Sequence, residues 1–266
     1  MSVADPSREL ASTAAQIPAP HAAPQSDPHA APNSAGPVAA CVEVVASGAQ
    51  TAVLDHFGRL SFYDGVAVPG DVPVLAAVPG LLSGTHVVAA SNLGWFDVPV
   101  AEALGLDEPV HLLCNDAEAA ALGEQVLRGG EPDLVYVGVG TGVGGAVVRG
   151  GAVTGNLFGH SGSFGARRCP CGSTGCLETV AAGWALGDPA STSELERAAQ
   201  AIAAAVESEP LATPQLVVLA GGIPRRHPNL LAMVAAALPG RRVEPTIAPP
   251  AAKSAAAWGL LHLRTP

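Results

Sequence analysis

The sequence predicts an α/β protein, on three observations. Short Val-rich runs bounded by Gly, Pro and Asp fill the first ordered third, alanine-rich stripes with a helical period fill much of the rest, and buried β-branched runs end in glycine turns between them. At 266 residues the chain can bury one large core or two modest ones. Its apolar content of 48% comes mostly from Ala, Val and Leu, with aromatics at only 4%, so the core is expected to be finely grained.

Taken in order, residues 1–36 carry six prolines among Ala, Ser, His and Asp without a hydrophobic period, the composition of a disordered tail. From Val38 to about Pro109 the runs "VAACVEVVA", "TAVLDHFGRLSFY", "VPVLAAVPG" and "THVVAAS" read as strands, with few helices among them. "NDAEAAALGEQVLRGG" reads as a helix starting near Asn115 or Asp116 and stopping at Gly129-Gly130. "LVYVGVGTGVGGAVVRGGAV" reads as two strands joined through Gly140-Thr141-Gly142. Leu195, Ala198, Ala199, Ile202 and Val206 form one helical stripe, with Ser193 and Glu196 expected as its capping box. "QLVVLAGG" is a buried strand running into Gly221-Gly222, and two helices are expected around Leu230 to Leu238 and Ser254 to Leu263. No internal repeat is evident.

A formal net charge of −10, with basic residues no more clustered than pairs such as Arg167-Arg168, argues against a nucleic-acid surface. The first residues lack the basic and apolar regions of a secretory signal, and the charge-free stretch Leu134 to Val148 is too short and glycine-rich to span a bilayer. The chain therefore reads as cytosolic, where clustered cysteines bind metal more often than they form disulfides. Cys169, Cys171 and Cys176 stand in the pattern C-x-C-G-x-x-G-C, nine residues after His160. Three thiolates and one imidazole make a closed tetrahedral Zn²⁺ site of the structural kind; a set of buried or redox-active thiols is the alternative.

"GH" followed by "CPCGSTGCLE" resembles the signature of the ROK family, which groups sugar kinases, sugar-responsive repressors and uncharacterised reading frames. "VPG", "SNLGWFDVPVAEAL", "NDAEAAALGE", "GVGTGVGGAVVRGG" and "VVLAGG" resemble further family segments in the family's order. The resemblance implies a two-lobed actin-like fold, the sugar kinase, Hsp70 and actin architecture. It divides the chain into a tail over 1–36, a shortened first lobe over 37–110, and a second lobe over 111–266 carrying a zinc loop at 159–178.

The same resemblance implies that Asp116 is the general base, although a carboxylate there is also an ordinary helix cap. It implies that Asn92, Asn115, His160 and Glu178 hold sugar hydroxyls. Gly140, Thr141, Gly142, Gly221 and Gly222 would face ATP and its Mg²⁺, although each glycine pair is also a plain turn. Three departures from the family pattern stand out. Glu43-Val44-Val45-Ala46-Ser47 replaces the D-x-G-G-T phosphate turn, and Leu157 replaces the glutamate of the sugar motif E-x-G-H. The crossover helix expected before "VPVLAAVPG" has shrunk to "DGVAVPGD", which leaves either a rearranged sheet or one open face. Residues 183–215 likewise have room for only one good helix.

These features predict a sugar-kinase-like protein whose ancestral reaction is ATP-dependent phosphorylation of a hexose, glucose or an N-acyl-hexosamine, with weak or absent turnover. The alternatives are a sugar-sensing or regulatory module without its own DNA-binding domain, and an eroded or mis-started reading frame. A sugar is the expected small-molecule partner, and a homodimer is expected from the resemblance.

Overall fold

The computed structural model describes residues 36–130, 132–154, 158–208 and 214–264. The predicted tail, all but its last residue, and Leu157 lie outside the described residues.

Two five-stranded sheets of one strand pattern organise the chain. In the first, β1 (Pro37–Val45), β2 (Gly48–Asp55) and β3 (Leu60–Asp64) make an antiparallel meander, and β4 (Val74–Val78) and β8 (Leu112–Asn115) add in parallel on the other side of β1. In the second, β9 (Leu134–Val139), β10 (Val143–Arg149) and β11 (Ala152–Thr154) make the meander, and β12 (Leu216–Ala220) and β13 (Arg242–Pro245) add in parallel beside β9. A small sheet of β5 (Leu81–Ser83), β6 (His86–Ala90) and β7 (Trp95–Pro99) follows β4, then the short helix α1 (Val100–Leu104).

Two crossed helices lie between the large sheets: α2 (Asp116–Leu127) and α7 (Ala256–Arg264). Their alanines share one core with Cys41, Leu75 and Ala77 of the first sheet and with Leu134, Tyr136, Val148 and Val218 of the second. The crossing is close because each helix gives up a side chain: a Cβ at Gly123 would overlap the Ala255 carbonyl oxygen, and one at Gly259 that of Ala119. The far end of α2 is pinned by a buried network. Glu124, fully buried, accepts from Arg128 and from Thr246, and Arg128 Nη2 donates to the Pro245 carbonyl at 3.0 Å.

The outer face of the second sheet packs on α4 (Thr192–Ser208) and α6 (Asn229–Ala237) through Val135, Val137, Val217 and Leu219. The outer face of the first sheet, which the missing crossover helix left in question, is closed. Residues 65–73 run across it without a helix and bury Val66 beside Val42, Val44 and Ala76, while Val87, Trp95 and Val100 complete the cover. Nine residues suffice because extended chain spans roughly 30 Å, and the buried Thr51 hydroxyl fixes the path by accepting from Ala67 N and donating to Gly65 O.

Local structure departs from expectation in two further places. The capping box of α4 is Ser191 with Glu194, not Ser193 with Glu196: Ser191 N donates to Glu194 Oε2 at 2.8 Å and Glu194 N to Ser191 Oγ at 3.3 Å. Both pairs fit the same spacing, and the reciprocal hydrogen bonds form at the first. The short helices α3 (Glu178–Ala181) and α5 (Gly222–Arg226), and strand β13, carry too few residues for a readable period.

Candidate functional site

Each large sheet opens with a hairpin, β1–β2 in the first and β9–β10 in the second, and several candidate groups lie in or next to these hairpins. The β1–β2 hairpin closes tightly: Val45 pairs with Gly48, leaving only Ala46 and Ser47 as the turn. On β1, burial pushes the Glu43 carboxyl up to about 7, the Asp116 charge contributing to the rise while Ser254 and Lys253 oppose it. Gln50 on β2 clasps the segment before α7, donating to Ala251 O at 3.0 Å and accepting from Lys253 N at 2.9 Å. Lys253 in turn pairs with Asp64 at 2.8 Å.

The β9–β10 hairpin is built otherwise. Gly140 N donates to Gly142 O at 2.9 Å, Gly140 O accepts from Gly183 N at 2.8 Å, and Thr141 O accepts from Trp184 N at 3.5 Å. With its carbonyls tied back, the turn leaves the N–H groups of Thr141 and Gly142 without a protein acceptor among the described hydrogen bonds, as an anion nest requires. Gly221, at φ 101°, ends β12 against this turn, where a Cβ would overlap the Val139 carbonyl oxygen, and Gly222 opens α5. The five predicted phosphate-side residues thus come together.

Asn115 caps α2: its Oδ1 accepts from Ala117 N at 3.0 Å and Glu118 N at 3.3 Å, and its Nδ2 donates to Gly80 O at 3.1 Å. Among the described hydrogen bonds, its second Nδ2 hydrogen is not engaged. Asp116, the first helical residue, is half-buried. Burial raises its pKa to about 6 against the lowering pull of the Ala117 and Asp116 backbone N–H groups, and the charges of Glu118 and Glu178 add to the rise. At pH 7 roughly nine tenths of such a group is ionised, which suits a base that must take a proton near neutrality.

Glu178, 1% exposed, opens α3. Its Oε1 accepts from Val143 N at 2.8 Å and from Asn92 Nδ2 at 3.5 Å, and its Oε2 lies 4.0 Å from Cys169 Sγ. Asn92, from the β6–β7 turn, and Glu178 are therefore neighbours although 86 residues apart.

Beside them the four predicted ligands converge, all ligand atoms lying within 4.8 Å of one another. His160 Nδ1 is 3.6 Å from Cys169 Sγ, and Cys171 Sγ is 3.7 Å from Cys176 Sγ. A tetrahedral ion with metal–sulfur bonds of about 2.3 Å separates its sulfurs by about 3.8 Å, so the donor set and its spacing fit. The loop folds back because Gly172 and Gly175 take φ of 94° and 75°. Among the described residues no other such group of metal-ligating side chains occurs.

The sequence offered no sign of Ser254, Gln50, Lys253 or the Val143 N–H as site groups. Each matters only through a partner more than thirty residues away.

Two sheets of one strand pattern clasping two crossed helices define the actin-like sugar kinase fold. The chain belongs to the ROK family, whose model matches residues 70–218. It is similar to a kanosamine kinase of Amycolatopsis mediterranei, 31% identical over 225 residues, which cover 71% of this chain and 73% of that one. It is also similar to a glucokinase of Halalkalibacterium halodurans, 37% identical over 103 residues, and to an N-acetylmannosamine kinase of Escherichia coli, 39% identical over 122 residues. These two matches cover 35% and 41% of this chain and only 31% and 42% of the relatives' lengths. In fold it resembles a ROK family glucokinase from Streptomyces griseus in complex with glucose and AMPPNP, at a TM-score of 0.67 and 22% identity, covering 86% of this chain and 99% of that one.

Proposed function

We propose that the chain is a sugar-kinase-like protein that holds a hexose or amino sugar in the cleft and transfers phosphate from ATP weakly or not at all. The observation that carries this reading is the contrast of the two hairpins: in the β9–β10 turn the N–H groups of Thr141 and Gly142 have no protein acceptor among the described hydrogen bonds, while the β1–β2 turn is reduced to Ala46-Ser47. Val45 and Ala46 cannot let phosphate approach the backbone as glycines do.

Asn92, His160 and Glu178 form the sugar wall, with the leftover N–H of Asn115. Asp116 takes the proton of a sugar hydroxyl as its oxygen attacks the γ-phosphorus, and the bond from that phosphorus to the ADP oxygen breaks. Thr141 and Gly142 cradle phosphate, with Gly140, Gly221 and Gly222 giving the nucleotide close access to the backbone. Mg²⁺ enters with ATP and needs few protein ligands of its own. His160, Cys169, Cys171 and Cys176 hold a structural Zn²⁺, which supplies no catalytic step and fixes His160 and Glu178 in place.

The first lobe is short in this reading, and the protein is cytoplasmic and dimeric. No helix of the described residues is long and apolar enough to cross a membrane. The closed Glu43 hairpin equally favours a second reading, a sugar-sensing module that binds no nucleotide. Calorimetry with AMPPNP and Mg²⁺, with and without glucose, on zinc-loaded protein separates the two. Nucleotide binding supports the weak kinase, and its absence alongside sugar binding supports the sensor. Turnover at the rate of an ordinary sugar kinase would overturn both.

A further inference from the structure

Gly142 does not owe its identity to its backbone. It is not among the glycines with positive φ, so a left-handed backbone is not what calls for glycine there. What it lacks room for is a side chain. A Cβ there would overlap Glu178 Oε1 and come within 2.7 Å of Asn92 Nδ2. Gly140, two residues earlier in the same turn, has nothing within 4 Å of a Cβ. The crowding is therefore specific to one side of the turn, and both crowding atoms are polar atoms of the proposed sugar wall.

They are also joined to the turn itself. Asn92 Nδ2 and Val143 N both donate to Glu178 Oε1, the second at 2.8 Å. A second glycine clears the same spot, since a Cβ at Gly159 would overlap the Val143 carbonyl oxygen and stand 3.3 Å from Glu178 Cγ. Glu178 is thus pressed onto backbone from two sides, with its carboxylate as the shared acceptor.

We propose that Gly142 is a positioning residue: bare of a side chain, it lets the Glu178 carboxylate and the Asn92 amide seat on the phosphate turn, so that the sugar and phosphoryl-donor sites act as one hydrogen-bonded unit and bind cooperatively. This rests on the function proposed above. A sugar that engages Glu178 and Asn92 stiffens the Val143 peptide, and with it the turn whose Thr141 and Gly142 N–H groups receive phosphate. Phosphate binding settles the sugar wall in return, since such coupling is reciprocal.

The test is calorimetry of AMPPNP with Mg²⁺ in the presence and absence of whichever of glucose, N-acetylmannosamine and kanosamine binds. Amide hydrogen exchange at Val143 is followed in parallel. Sugar is expected to tighten the analogue by about fivefold or more in the wild type. In Gly142→Ala that ratio falls to about one, and Val143 exchange speeds by about tenfold or more as its acceptor is displaced. Glu178→Asp, which draws the carboxyl back by one methylene and leaves the turn intact, is expected to do the same, and it serves if Gly142→Ala fails to fold. A coupling ratio kept in both variants, or unchanged Val143 exchange, overturns the inference while leaving the function standing. A folded, metal-loaded wild type that binds no sugar and no nucleotide overturns the function itself and the cooperative unit with it.

Discussion

The β1–β2 and β9–β10 hairpins hold the same place in two sheets of the same strand pattern, yet their backbone groups are used differently. In the first, Ala46-Ser47 closes the turn and Gln50 stitches it to Ala251 and Lys253. In the second, Gly183 and Trp184 tie the carbonyls back, and the N–H groups of Thr141 and Gly142 have no protein acceptor among the described hydrogen bonds. The family match begins at residue 70, after β3, so the second hairpin lies inside it and the first outside. A topological position thus preserves a hairpin without preserving its chemistry. The chemistry depends on which backbone groups the surroundings consume.

The comparison is broken most severely at the group lying between the hairpins. Asp116→Asn should lower whatever phosphotransfer the wild type shows by about 10²–10⁴-fold, with analogue affinity unchanged. Wild-type rates should fall below pH about 6 as Asp116 takes up a proton. A coupled assay over pH checks both. Stripping the metal should weaken sugar binding at least tenfold and lower Tm by several degrees, with Zn²⁺ restoring both, because Glu178 hangs beside the metal loop. Retained sugar affinity would detach the second hairpin from that loop.

Glu43 gives a smaller effect of definite sign. Its folded pKa of about 7 exceeds its ordinary value of 4.5, so the folded state holds an extra proton between those limits and loses stability as pH rises through them. Glu43→Gln should abolish this slope and stabilise the protein at pH 8 by on the order of 2 kcal/mol, read by denaturant titration at pH 5 and pH 8. The smallest contrast is direct. Thr141→Ala should weaken AMPPNP by about five- to tenfold, whereas Ser47→Ala should leave it within about twofold. Equal losses would mean that the first hairpin also meets phosphate.

Much of the site was legible because its signals are local. Asn115 before an alanine-rich helix marks a cap and puts Asp116 on the first turn. Gly172 and Gly175 between cysteines mark a loop that folds back on itself. Legibility ended where partners are distant in the chain. The short run "DGVAVPGD" suggested either a rearranged sheet or an open face, and only packing revealed that Val66 and the β5–β7 sheet cover that face. Asn115 matched a sugar-side position, and only the fold shows that one of its amide N–H groups goes to Gly80.

The sequence by itself determined the α/β class, the start of α2, the β9–β10 turn and the metal quartet, since caps, glycine turns and ligand spacing act within a few residues. Tertiary structure alone decided that the two sheets share one pattern, that Gln50 bonds Ala251 and Lys253, and that Glu178 bonds Val143 beside Asn92. Strand register and helix crossing set those meetings. Both follow from burying whole faces against one another, a condition that no short stretch of sequence contains.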